Sequence, residues 1–270
     1  MEVWQGPAIW IYNDAEFSED DFQALIKLGI GGKSRDVDED DTRIGRFGIG
    51  FNCAFHVTDL PSFVSGKYIA FLDPHAKFLP AIEYPPRRRI GTIIDFTKED
   101  FKRSFPDQCY PYEALGCDFS KEGFKGTLFR LPLRTHKLAK QSEISKQEFD
   151  TNSILKLFND IQGNKEMLFL RNIESCSLYH MKHQNPKLIW KTQITMSEDC
   201  CNSRKIVSDQ VQVYQMDIEN ISNWNNTKVS EIWLLCTGGH DKIKIKSLET
   251  FSEEKKLKVK RNKCLLFIHL

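Results

Sequence analysis

Apolar residues along this chain follow two rhythms. The first is the short continuous run: Ala8-Ile-Trp-Ile-Tyr12 between Pro7 and Asn13-Asp14, then Ser62-Phe-Val-Ser-Gly66 and Tyr68-Ile-Ala-Phe-Leu72. Such runs between turn residues predict buried strands, and the first reads as a central one. The second rhythm is helical. Phe22, Leu25 and Ile26 recur at i, i+3, i+4 behind Ser18-Glu-Asp-Asp21, a hydroxyl N-cap with carboxylates in the first turn. This predicts a helix over residues 19–28, closed at Gly29. Phe51, Ala54 and Phe55 share one face of a second helix, ended by Leu60-Pro61. A short helix is predicted within 97–105, with Phe101 and Phe105 on one face. From Gly126 to Arg134 the pattern alternates, placing Thr127, Phe129, Leu131 and Leu133 on one side of a strand that Pro132 brings to an edge or end. The remainder of 76–125 carries no clear period. Ile154, Leu157, Phe158 and Ile161 make the stripe of an amphipathic helix stopping near Gly163. Strand-like pieces at 176–181, 188–196, 210–217 and 231–236 then predict an antiparallel meander.

The 270 residues suffice for one large domain or two small ones, and the polar stretch 135–152 marks a boundary. The expected division is 1–140, 141–238 and a charged tail, 239–270, expected to be disordered. With 38 basic and 37 acidic residues, no global field favours nucleic acid or an anionic membrane. No window approaches the roughly 20 apolar residues of a membrane span. The start, Met-Glu-Val-Trp-Gln-Gly-Pro, lacks the character of a signal peptide. Eight cysteines without a C-x-x-C pair point to reduced thiols in a cytoplasmic or nuclear protein, and away from zinc.

The chemistry concentrates in Ile44-Gly-Arg-Phe-Gly-Ile-Gly-Phe-Asn52, where Gly45, Gly48 and Gly50 run into a helix-compatible segment. Glycines let a ligand approach the backbone, and a helix start offers unpaired N–H groups and a positive dipole end to a phosphate. The acidic run 31–42 stands where a nucleotide lid would be. The G-x-x-G-x-G spacing matches neither the dinucleotide fingerprint nor the P-loop. Pattern alone therefore leaves two readings open, a phosphate cradle and a glycine turn that packs a helix on a sheet. His75, after Asp73-Pro74, reads as a loop hydrogen-bonder, and Cys53 and His56 as packing neighbours rather than a nucleophile pair. Lys27, Arg46 and the basic run 85–89 read as solvated surface.

With Trp4-Gln-Gly-Pro-Ala-Ile-Trp-Ile-Tyr-Asn-Asp-Ala-Glu-Phe17 and the glycine box, further segments form a combination. These are Val57-Thr-Asp59, Phe71-Leu-Asp-Pro-His75, Gly126-Thr-Leu-Phe-Arg-Leu-Pro-Leu-Arg134 and Leu168-Phe-Leu followed by Leu178-Tyr179. Over about residues 4–237 the chain resembles the sacsin-type members of the GHKL ATPases. The resemblance implies an α+β fold: a two-layer α/β sandwich with a mixed, mainly antiparallel sheet, followed by a smaller α+β segment. It implies that Gly45, Arg46, Phe47, Gly48, Ile49, Gly50 and Phe51 hold the phosphates of ATP and that Thr127 stands near the adenine. Asn13, Asp14 and Phe17 fall in the first box, which reads the adenine amino group, although the usual D-x-G-x-G is missing. The family's E-x-x-x-N-A-x-D-A helix, whose Glu activates water and whose Asn holds Mg²⁺, has no counterpart in these residues. No catalytic residue and no Mg²⁺ ligand are therefore implied, and truncation at the N-terminus, with a second one at the C-terminus, is the expected cause. The implied function is a chaperone-associated module with a partial ATP pocket, binding chaperones or client proteins without hydrolysis. An ATPase completed by another segment or subunit, and an inert scaffold, are the alternatives.

Overall fold

The continuous runs gather in one sheet, joined there by the 126–134 segment, and the later alternating segments form a second sheet. The structure, a computed structural model, describes residues 2–22, 25, 49–81, 87–98, 100–159, 165–170, 173–182, 185–205, 212–223 and 225–237. These fall into two compact units, the first reaching to Phe158 and the second starting at Asn159.

In the first unit, β1 (Ala8–Asn13), β2 (Ser62–Gly66), β3 (Tyr68–Leu72), β4 (Gly91–Asp95) and β5 (Phe124–Pro132) build a five-stranded sheet of order β1-β5-β2-β3-β4. Every described pairing is antiparallel. Strand β1, predicted to be central, is an edge among the described residues. It pairs with β5 alone, and its apolar residues are half-buried or exposed. Both faces of the central strands are covered, which is why β2 and β3 read as unbroken runs rather than alternations. On one face Val64, Ile69, Phe71 and Leu128 pack with Trp4, Phe101 and Tyr112. On the other, Phe63, Ala70 and Phe129 pack with Phe17, Phe22, Leu25 and Phe51.

The helix expected over 19–28 is described at residues 19–22 and 25. Its N-terminus carries the capping box: the Asp21 carboxylate accepts from the Ser18 amide (2.8 Å), and the Asp21 amide donates to Ser18 Oγ (3.3 Å). The 97–105 segment holds a helix at Phe101–Ser104, with Phe101 and Phe105 in ring contact at 5.2 Å. A second helix, Pro106–Glu113, starts immediately afterwards. The break between them has a local cause. Proline disfavours α geometry in the residue before it, and Phe105 sits at φ −136°, ψ 57°.

In the second unit β6 (Ser175–Lys182), β7 (Asn185–Thr195), β8 (Gln212–Ser222) and β9 (Thr227–Thr237) form the predicted meander, in the order β6-β7-β8-β9. Here the pattern does alternate: Tyr214, Met216 and Ile218 are buried, while Val213, Gln215 and Asp217 are exposed. A 3-10 turn, Lys165–Phe169, lays Met167 and Leu168 on the buried face. Two sequence readings need correction. Leu157 of the Thr151–Asn159 helix is 48% exposed although its stripe partners Ile154 and Phe158 are buried, so the covered face is narrower than the period suggested. The Glu198–Lys205 helix was not foreseen, because its polar sequence has no apolar stripe.

Candidate functional site

Register brings the first box and the late threonine together. Asn13, the last residue of β1, lies opposite Thr127 of β5, and Thr127 lies opposite Ser65 of β2. Beyond β1 the chain turns, with Asn13 Oδ1 accepting from the Ala15 amide (3.1 Å) in the manner of an Asx turn. The returning segment is then tied down by one directional hydrogen-bond chain. Thr127 Oγ1 donates to the Ala15 carbonyl (2.8 Å), so across the 2.8 Å Ser65–Thr127 contact the serine must be the donor. Ser65 Oγ in turn accepts from the Phe17 amide (2.8 Å). Both hydroxyl protons are thereby committed, and Thr127, 0% exposed, keeps only acceptor capacity. Gly126 permits this closeness: at φ +107° a Cβ there would lie 2.5 Å from the Asn13 carbonyl oxygen.

Beside this chain stands an aromatic floor. Phe17 packs at 5.1 Å from Phe63 and 5.9 Å from Phe129, and Phe51 reaches Phe129 at 6.1 Å. Asn13, Phe17, Phe51 and Thr127 thus converge on one part of the sheet. Asp14 is exposed, with no partner among the described residues. Ile49 and Gly50 open the short Ile49–Asn52 helix, which continues as a 3-10 turn, Cys53–His56. Gly45, Arg46, Phe47, Gly48 and Lys27 lie outside the described residues.

A buried ionic cluster, not foreseen as a unit, anchors the end of that turn. Arg134, 0% exposed, donates from Nε to Asp59 Oδ1 (2.6 Å) and from its terminal nitrogens to the carbonyls of Phe55 (2.6 Å) and His56 (2.8 Å). The carbonyls at the end of a helix lack internal partners, and a cation there also meets the negative end of the dipole. His75 Nε2 sits 3.1 Å from the other Asp59 oxygen, so His75 is a loop hydrogen-bonder, but a buried one. Asp73 shapes that loop by accepting from the amides of Phe78 (2.6 Å) and Leu79 (2.9 Å). The available signal was the co-occurrence of Val57-Thr-Asp59, Phe71-Leu-Asp-Pro-His75 and the segment ending in Leu133-Arg134, which does not say that their charged side chains meet. Of the Cys53–His56 pair, Cys53 is half-buried and His56 exposed. Among the described residues no group of three or more His, Cys, Asp and Glu gathers as a metal site requires, and no helix is long and apolar enough to cross a membrane.

An α+β sheet protein with these boxes in this arrangement has a recognisable kin. Residues 1–193 match the Sacsin domain family, and the chain belongs to it. A curated relative, human Sacsin (Homo sapiens), is 31% identical over 211 residues, covering 74% of this chain and 4% of that protein. The chain thus spans a small fraction of that relative's length.

Proposed function

We propose that this sacsin-like module carries a partial nucleotide pocket of the GHKL type and acts through chaperone or client proteins without hydrolysing ATP itself. The observation that carries the reading is the convergence of Asn13, Phe17, Phe51 and Thr127. A flat base stacks on an aromatic floor, and a polar rim gives it orientation. Thr127, fully buried and bonded to both Ser65 and Ala15, would act beneath such a base by fixing the loop after β1 that carries Asn13 and Phe17. The glycine box would cradle the phosphates through backbone N–H groups. No stretch of the sequence matches the family's E-x-x-x-N-A-x-D-A motif, whose Glu is the general base, and binding without turnover by this chain is the reading in keeping with that. The Arg134 clamp fits a positioning role, since it fixes the far end of the helix that the glycine box enters.

Calorimetric titration with ATP and ADP, alongside a phosphate-release assay, tests this directly. Saturable binding without phosphate release, lost in Gly48→Val, is the expected result. No heat at millimolar nucleotide would leave the scaffold reading, and phosphate release abolished by Gly48→Val would establish an ATPase. For the second half of the proposal, the chain should suppress aggregation of a heat-denatured model client. Equal aggregation with and without it would remove the client-binding role.

A further inference from the structure

Strand β4 ends the first sheet on the side away from β1, and among the described residues it pairs with β3 alone. The hydrogen bonds at its two ends fix which of its main-chain groups are spent. Just before the strand the Ile90 carbonyl accepts from the Asp73 amide (2.8 Å), and just after it the Phe96 amide donates to the Lys67 carbonyl (3.1 Å). Bonding alternates along an antiparallel pair, so Thr92 and Ile94 turn their N–H and C=O to β3. Gly91, Ile93 and Asp95 turn theirs outward. The Asp95 carbonyl accepts from the Lys98 amide (3.2 Å), whereas the outward groups of Gly91 and Ile93 find no partner among the described residues.

A bare edge is a template for another strand. Here its charge is one-sided. Arg87 and Arg88 are exposed and Arg89 is half-buried, and none of the three has an ion-pair partner among the described residues. At the other end Lys67 and Lys98 share the Asp95 carboxylate, at 3.9 and 3.5 Å. Five cations against one carboxylate leave an excess of four along the described edge, in a chain whose 38 basic and 37 acidic residues nearly cancel. Arg88 stands two residues before Ile90, roughly 7 Å of extended chain from the bonded ladder. Ile90 itself is 45% exposed. A row of outward amides and carbonyls is matched by a polypeptide backbone rather than by a nucleic acid or a lipid surface. The positive excess selects carboxylates where that backbone passes the arginines, which hold them by charge-assisted hydrogen bonds.

We propose that the outer edge of β4 is a docking site for an extended acidic peptide, which adds antiparallel as a further strand. It bonds to Gly91 and Ile93 and sets its carboxylates against Arg87 and Arg88. The site is at the opposite edge of the sheet from β1 and does not depend on the nucleotide pocket; no nucleotide enters its test.

The probe is a fluorescein-labelled peptide of alternating valine and threonine with three glutamates at its C-terminal end, so that antiparallel docking brings them to the arginines. Anisotropy against the full chain should saturate, and the affinity should fall severalfold between about 50 and 300 mM sodium chloride. Arg87→Glu combined with Arg88→Glu, both at exposed positions, should weaken binding at least tenfold. In the ¹⁵N-labelled chain the peptide should slow hydrogen exchange at the Gly91 and Ile93 amides, while those of Thr92 and Ile94 are protected without it. Methylating alternate amides of the peptide should abolish both effects, and this carries the test if the double variant loses its dispersed spectrum. Unchanged affinity in the double variant overturns the role of the arginines. Equal binding of the methylated peptide, or unaltered exchange at Gly91 and Ile93, overturns strand addition. Binding of a thymidine oligonucleotide or of phosphatidylserine vesicles, but not of the peptide, overturns the choice of partner.

Discussion

The two sheets solve the same problem in opposite ways. The first is covered on both faces, so Phe63 and Val64, neighbours on one strand, are both fully buried. The second is covered on one, so Tyr214 is buried while its neighbour Val213 is half exposed. In the first, enclosed polar groups depend on protein partners, as in the Phe17–Ser65–Thr127–Ala15 chain and the Arg134–Asp59–His75 cluster, while the buried indole N–H of Trp4 has none. In the second, polar groups at the end of the covered face stay within reach of water: Asn220 is half-buried and Thr227 exposed. Burial on both sides trades adaptability for fixed geometry.

The largest test of that contrast is Arg134→Ala, which strands the Asp59 carboxylate away from water. It should cost about 3–5 kcal/mol in urea unfolding, whereas Lys228→Ala, breaking an exposed pair with Glu219 on β9 and β8, should cost nothing measurable. Equal effects would erase the distinction. Gly126→Ala comes next, at about 1–3 kcal/mol from backbone strain, since its Cβ would meet the Asn13 carbonyl at φ +107°. Circular dichroism melts give the size, and an unchanged midpoint would show that the strand can relax there. Thr127→Val deprives the Ala15 carbonyl and the Ser65 hydroxyl of partners and should cost about 1.5 kcal/mol. Thr192→Val should cost less, because Asn220, its partner, is only half-buried and can turn to water.

A chemical probe reads the same difference. Burial pushes the Cys109 thiol up to about 12 and the Cys117 thiol up to about 11, and both are 1% exposed. At pH 8 neither forms thiolate in the native state, so an alkylating reagent should modify them only as the first unit unfolds. Mass spectrometry of the labelled peptides checks this, and fast native labelling would contradict the enclosure. The smallest effect belongs to Ile232→Thr, on the outer face of β9 where the residue is 70% exposed; about 0.5 kcal/mol or less is expected from the unfolding midpoint.

What could be read in advance follows from the same physics. The runs 62–66 and 68–72 are bounded by turn residues and were read as strands with the bounds they have. The meander was legible because one wet face leaves a period of two. Strand β4 was not, since Gly-Thr-Ile-Ile-Asp at a sheet edge is neither a clear run nor an alternation. The Pro106–Glu113 helix was hidden by two prolines and the lack of an apolar stripe. In the site, the boxes were visible as words but their joints were not. Nothing local says that Asn13 will face Thr127, because that opposition is fixed by pairing across the whole first unit. Nothing local marks Arg134 as buried, and the Asp59 carboxylate with the carbonyls of Phe55 and His56, brought to it by the fold, makes its burial tolerable.

Strand β5 carries one last implication. Near one end Thr127 is pinned to the loop after β1, and just past the other Arg134 is pinned to the turn that follows the glycine box. The seven residue-to-residue steps between those pins span roughly 24 Å of extended backbone. The strand is therefore a strut: it cannot tilt at one pin without swinging the other, and the two halves of the candidate pocket share one mechanical frame.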